Sequence, residues 1–218
     1  MKKSILMLTV VAAMLGSCAD NGKKTETKDA EKVEINKNET TTVYNKVDPG
    51  SFLDWRASHL GGVQPRYGKV YVKSAEILVN DNKITNAMIE MDMATFTVES
   101  FEDEDSKNKL TGHLQSDDFF QISAYPVSLF ELTNIKASEG DFNSIITGNL
   151  TILDVTKSIT FNANIAVSAD KVSIKSEDFV VNRTDWGLVY NTEGTEGVPV
   201  DYLISNDIGF TIDVVASK

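Results

Sequence analysis

One cysteine, two histidines, four prolines and a shortage of positive charge mark this 218-residue sequence more than any abundance does. A lone cysteine closes no intramolecular disulfide and builds no thiolate cluster, and two histidines leave little for a zinc site. No metal and no cofactor are therefore expected. The 21 Lys and Arg against 32 Asp and Glu give a formal charge of −11, the opposite of the basic face that a nucleic-acid partner requires. Hydrophobic residues make up 41%, too many for a disordered chain and too few for an integral membrane bundle. The sequence also lacks a Gly-x-Ser-x-Gly elbow, a phosphate-cradling glycine loop and a paired-histidine motif, so no catalytic residue is assigned.

What is present begins at the N-terminus. Lys2 and Lys3 precede an apolar run from Ile5 to Leu15, followed by the small residues Gly16 and Ser17 and then Cys18. This is the layout of a secretory signal over residues 1–17, too short to span a bilayer as a mature helix. Leu15-Gly16-Ser17-Cys18 resembles the lipobox of bacterial lipoproteins, which implies acylation of Cys18. Several acyl chains anchor a protein stably where one does so only marginally. Loss of Lys2 and Lys3 would leave 19 basic against 32 acidic residues, a side-chain charge of −13. Residues 18–40 are charged, without aromatics, and read as a flexible tether. The expected location is the cell envelope. Ala19 after the cysteine favours the outer membrane, facing the periplasm or the surface.

From residue 41 to 218 the apolar pattern has period two. Ile159, Phe161, Ala163, Ile165 and Val167 share one face of a run whose other face holds Ser158, Thr160, Asn162 and Asn164. Similar alternation runs through Ile89, Met91 and Met93, and through Ile208, Phe210, Ile212 and Val214. Such strands are half-buried and antiparallel. Runs near 42–48, 52–59, 67–79, 83–98, 126–136, 144–153, 158–168, 171–182 and 201–216 give eight or nine strands, separated by signals such as Asn80-Asp81-Asn82. One helical or irregular insertion falls at 101–124. The fold class is all-β. Long strands with short links favour an up-and-down barrel of about eight strands, its interior either filled or holding one small ligand.

Three segments resemble the YceI-like family. They are Gly112-His113-Leu114-Gln115-Ser116-Asp117-Asp118-Phe119-Phe120 with Ala124-Tyr125-Pro126, Gly148-Asn149-Leu150-Thr151-Ile152-Leu153-Asp154-Val155-Thr156-Lys157, and Asn182-Arg183-Thr184-Asp185-Trp186-Gly187. Asp154 stands where Gly is usual, and Asn182 where an acidic residue is common. The resemblance implies a lipocalin-like barrel whose apolar pore holds a polyisoprenoid or similar amphiphile. At roughly 0.8 kcal/mol per buried methylene, about 20 carbons supply a gross term near 16 kcal/mol before association costs. Such a ligand needs a long apolar tube more than a polar motif.

The pore is expected to be lined by Ile159, Phe161, Ile165, Phe210 and Ile212, with Phe119, Phe120, Tyr125 and Trp186 at its end. Candidate headgroup contacts are His113, His59 and Arg183. Each also has a purely structural reading. His113 would hold a loop before a strand, the two histidines would pair at the barrel mouth, and Arg183 would form an ion pair with Asp185 beside Trp186. The acidic run Glu99 to Asp105 lacks the spacing of a calcium loop. Three functions compete: a lipid-anchored carrier of a prenyl or quinone-like amphiphile, a surface interaction module with a filled barrel, and an enzyme using His113 with Asp117 or Asp118. The carrier is preferred, with a membrane and a lipid as partners and a homodimer left open.

Overall fold

The period-two runs close into an antiparallel meander. In the computed structural model, which describes residues 22–35 and 37–218, the elements in order are β1 (Lys23–Lys24), β2 (Lys28–Asp29), β3 (Thr42–Tyr44), β4 (Lys46–Val47), β5 (Phe52–Ala57), β6 (Arg66–Asn80), β7 (Lys83–Asp92), α1 (Glu104–Gln115), β8 (Val127–Ala137), β9 (Ser144–Ile152), β10 (Val155–Val167), β11 (Lys171–Ser176), β12 (Phe179–Asn182) and β13 (Asp207–Ser217). Neighbours in sequence pair from β5 through β11, β13 pairs with β11 and β12, and β5 pairs with β13 to complete an eight-stranded barrel. Inward positions alternate as expected. Ile159, Phe161 and Ala163 of β10 and Phe210, Val214 and Ala216 of β13 are buried in one core.

Turn chemistry sets the register. Asp81 and Asn82 both take positive φ, at 49° and 59°, as the mirror-image turn of a two-residue hairpin requires. Bulges interrupt the β6–β7 ladder at Val72/Ser74 and Leu78/Val79 and the β8–β9 ladder at Leu132/Asn134, adding the local bend that a closing sheet needs. Gly148 of β9 lies under Phe130 of β8. A Cβ there would sit 2.3 Å from the ring, so only glycine lets Phe130 cover this part of the wall.

Four expectations shift. The run at 42–48 divides into β3 and β4, that at 171–182 divides at Glu177 and Asp178, and that at 83–98 ends at Asp92, where the chain turns through a 3-10 segment capped by the Asp92 carboxylate. The run at 201–216 starts late: β13 begins at Asp207, and residues 200–202 form a 3-10 turn. The 101–124 insertion contains α1, which starts where the Asp103 carboxylate accepts a hydrogen bond from Ser106 N at 2.8 Å. That bond holds the Asp103 carboxyl below its usual range. The acidic run therefore serves as a helix start.

Part of the segment expected to be a flexible tether is fixed to the barrel. β10 pairs with β11 only over Ala163–Val167, and the split beyond is filled by residues 22–31. β1 lies parallel to β12, and β2 pairs with Ser158 and Lys157 of β10. Thr25 joins the two sides, its N–H donating to Val180 O and its hydroxyl to Thr160 O. Farther along, Glu31 and Asn149 exchange two hydrogen bonds, at 2.9 and 2.7 Å. The strap contributes little apolar area, and it satisfies the backbone groups of an edge that the split would leave bare. Residues 1–17, expected to be a signal segment, and Cys18 lie outside the described residues.

Candidate functional site

One end of the barrel is built from the β5–β6 loop, the stretch from Met93 to Pro126 that includes α1, and the long β12–β13 loop. Leu110 and Leu114, one helical turn apart on α1, face downward with Phe119 and Phe120 behind them. Together they roof an apolar chamber whose walls include Trp55, Phe96, Leu188 and Phe210. Its volume, taken as the space open to centres of water-sized spheres, is about 100 Å³. Below it, a second chamber of about 80 Å³ lies between Leu53, Met91, Phe179 and Ile212. A third, of about 20 Å³, lies deeper among Ala87, Phe130, Phe161 and Ile174.

The chambers follow one another along the barrel. Phe210 belongs to the walls of the first and second, and Ile89, Phe130 and Ile212 to those of the second and third. Aromatic rings step alongside them: Phe130 to Phe161 at 5.8 Å between centroids, Phe161 stacked on Phe179 at 4.7 Å, and Phe179 to Phe210 at 5.9 Å. The sole polar side chain on the second chamber's walls is Ser128, whose hydroxyl donates to Thr151 O at 2.7 Å. With its donor used, this hydroxyl is a single partner, fewer than the two to four a buried water needs.

The expected site residues separate into two groups. Ile159, Phe161, Phe210, Ile212, Phe119 and Phe120 line chambers. Ile165 packs against the core without lining any of these chambers, and Tyr125 is half-buried outside them. Trp186 is fully buried, its indole N–H donating to Leu150 O at 2.9 Å, and serves as packing.

The polar candidates are also reassigned. Arg183 forms no ion pair with Asp185. Arg183 is 2% exposed and spends four of its five N–H donors on the carbonyls of Leu188, Tyr190, Ile204 and Ser205, while its side chain borders the first chamber. Burial lowers its pKa to about 10. Asp185 instead accepts the hydroxyl hydrogen of Thr27 in the strap. His113 sits in the last turn of α1 rather than a loop, with Nε2 2.9 Å from Asp118 and its ring edge-on to Phe119 and Tyr190. His59 borders the first chamber and places Nδ1 2.7 Å from Asp201 O. The two histidines thus have separate partners.

A polar groove of about 790 Å³, measured in the same way, adjoins the first chamber and shares Ala57, Ser58 and Arg66 with it. Lys24 and Arg56 line it opposite Asp178, Glu193 and Asp207. Arg66 donates only to Pro65 O and Gln64 Oε1, both at 3.1 Å, and rests 4.4 Å from the Phe101 ring centroid. Among the described residues no carboxylate pairs with it, and partial burial lowers its pKa. Sequence reading missed Arg66 because one arginine after a Gly-Gly-Val-Gln-Pro loop carries no periodic signal. Trp55, Phe96, Leu110 and Leu114 were hidden for a related reason, since they come together only when the barrel closes.

These features define a lipocalin-like β-barrel with a segmented, largely apolar interior and one elaborated end. The YceI-like domain model matches residues 32–216, and the chain belongs to that family. A UPF0312 protein of Pseudomonas putida is 33% identical over 113 residues, 52% of this chain and 55% of that protein. A Pseudomonas aeruginosa UPF0312 protein is 31% identical over 120 residues, 55% and 59% respectively. The chain thus spans just over half the length of these curated relatives. Among solved structures, Burkholderia cenocepacia BcnA aligns with TM-score 0.58 at 18% identity, over 79% of this chain and all of that one. A polyisoprenoid binding domain from Saccharophagus degradans, implicated in plant cell wall breakdown, aligns with TM-score 0.55 at 14% identity, over 81% of this chain and 99% of that one.

Proposed function

We propose that the protein is a lipid-anchored, non-enzymatic holder of a long-chain amphiphile, polyisoprenoid or quinone-like, with the chain in the barrel and the headgroup at the elaborated end. The observation that carries this reading is the succession of chambers that share apolar walls. At roughly 10–15 Å³ of such space per water-sized group, the first chamber takes about seven to ten carbon-sized groups and the second about five to eight. A longer chain enters as Phe210 and Ile212 change rotamer. The binding described for the Saccharophagus domain supports the same ligand class. Ile159, Phe161, Phe210 and Ile212 would contact the chain, while His59, a candidate already read from sequence, and Arg66 beside it would contact the headgroup.

The small size of each chamber favours a second reading, an interaction module whose barrel is filled by its own side chains. One experiment separates the two. The chain with Cys18→Ala is expected in the soluble fraction of the envelope, and its organic-solvent extract is expected to contain a stoichiometric lipid by mass spectrometry. An empty extract, with no uptake of a fluorescent prenyl probe, removes the holder reading. Persistent membrane association removes the anchor.

A further inference from the structure

Large apolar side chains left in water collect at the same end of the barrel as the first chamber. Among the described residues the exposed ones are Val63, Tyr67, Val189, Val200, Tyr202, Ile35 and Met88, and the first five belong to the β5–β6 and β12–β13 loops or the first turn of β6. The loops form a fixed platform. Leu60 N donates to Leu203 O at 2.8 Å, His59 bridges to Ile204, and Ile204 N donates to Asn191 O. Arg183 ties the carbonyls on either side of Val189 to those of Ile204 and Ser205. Five exposed apolar side chains thus stand together at one end of the barrel, on a hydrogen-bonded base.

We propose that this rim docks on a lipid bilayer and turns the mouth of the barrel toward the membrane. This goes beyond the holding role and rests on the reading of Cys18 as acylated. The position of the strap supports the choice of a bilayer as occupant. Gly22 lines the polar groove beside the mouth, and from Lys23 the chain is fixed by its ladder to β12. Four residues from Cys18 to Gly22 reach at most about 14 Å, so acyl chains at Cys18 hold the membrane within that distance of the groove beside the mouth. The first chamber's walls include Ser58, His59 and Ile204 from the same loops, so an amphiphile would pass between membrane and chamber without crossing bulk water. Glu193, Glu196 and Asp201 give the rim an acidic character. Apolar insertion, and not attraction to anionic lipid, is the force that holds it.

The test uses the full, lipidated protein reconstituted in phosphatidylcholine vesicles with brominated acyl chains. Val200→Trp places a reporter on the rim. Lys83→Trp places one at the far end of β7, roughly 30 Å along the strand from Asp92. Both positions are exposed and the native Trp55 and Trp186 are buried, so each variant is expected to fold and add one reporter. In vesicles that float with the protein, V200W fluorescence should fall about twofold or more against unbrominated vesicles, as for a side chain seated at the headgroup–acyl boundary, while K83W should not change. Floating protein in which the two reporters respond alike, or in which only K83W is quenched, overturns the docking proposal and leaves the anchor intact. Protein that does not float overturns the anchor, and the docking proposal falls with it.

Discussion

Arg183 combines a full charge with almost complete burial, a combination that is costly unless most of its donors are used. Four carbonyls from two separate parts of the β12–β13 loop use them. The surrounding motif follows the same logic. The Asn182 side chain caps the 3-10 turn, Trp186 fills the barrel end, and Gly187 takes the left-handed conformation, φ 78°, that ends it. Arg183→Met should leave these acceptors bare at about 1–3 kcal/mol each, less what water recovers, for a total loss of roughly 3 kcal/mol or more in chemical denaturation. A loss near zero would mean that the loop does not depend on the guanidinium. The residue types of this motif were legible in the sequence, and their partners were not. An ion pair of Arg183 with Asp185 is the economical reading of neighbours two apart, but the 3-10 turn sends one side chain inward and the other to the strap.

The strap shows why an element can be invisible to pattern reading. Residues 22–31 have neither alternation nor apolar content, and composition alone assigns them to a tether. Their place is dictated by a split elsewhere, where the Glu177 carboxylate accepts hydrogen bonds from Asn162 N and Nδ2, taking over from the β10–β11 ladder. Deleting residues 19–31 should leave the barrel folded, expose the β10 edge from Lys157 to Asn162 and remove the Thr25 and Asn149 bonds. At about 0.5–1.5 kcal/mol for each hydrogen bond lost, a destabilisation of roughly 2–4 kcal/mol is expected. Hydrogen exchange should quicken at residues 157–162 and not in β7. Unchanged protection there would show that the strap is not held in solution. By contrast, β6 to β10 were legible because period two runs through most of each strand, with turn residues between, and the bulges in the β6–β7 and β8–β9 ladders break it only locally.

At the scale of the whole molecule, the barrel divides its interior with its own side chains, and Phe210 is the divider nearest the mouth. Phe210→Ala should join the first two chambers and cost about 3–5 kcal/mol of stability, the range for a buried aromatic truncated to a methyl group. A ligand that fills the joined space would restore part of that loss by mass action. A prenyl alcohol should therefore raise the melting temperature of F210A more than that of the unaltered protein, as read in paired thermal scans. An equal or smaller rise would indicate that the two chambers do not form one binding path. The apolar lining was readable from period two alone. Its partition was not, because two inward residues on different strands meet only after closure.

The pairing of β5 with β13 and of β1 with β12 has a consequence for how the chain matures. Both closures join the beginning of the domain to its end. At about 5–20 residues per second, synthesis takes roughly ten to forty seconds, and throughout that time the growing meander has two unpaired edges, the hazard that a closed barrel avoids. Contacts this distant along the chain also place folding among the slower single domains, on the order of milliseconds to seconds. A C-terminally clipped chain lacking β13 would keep both edges open.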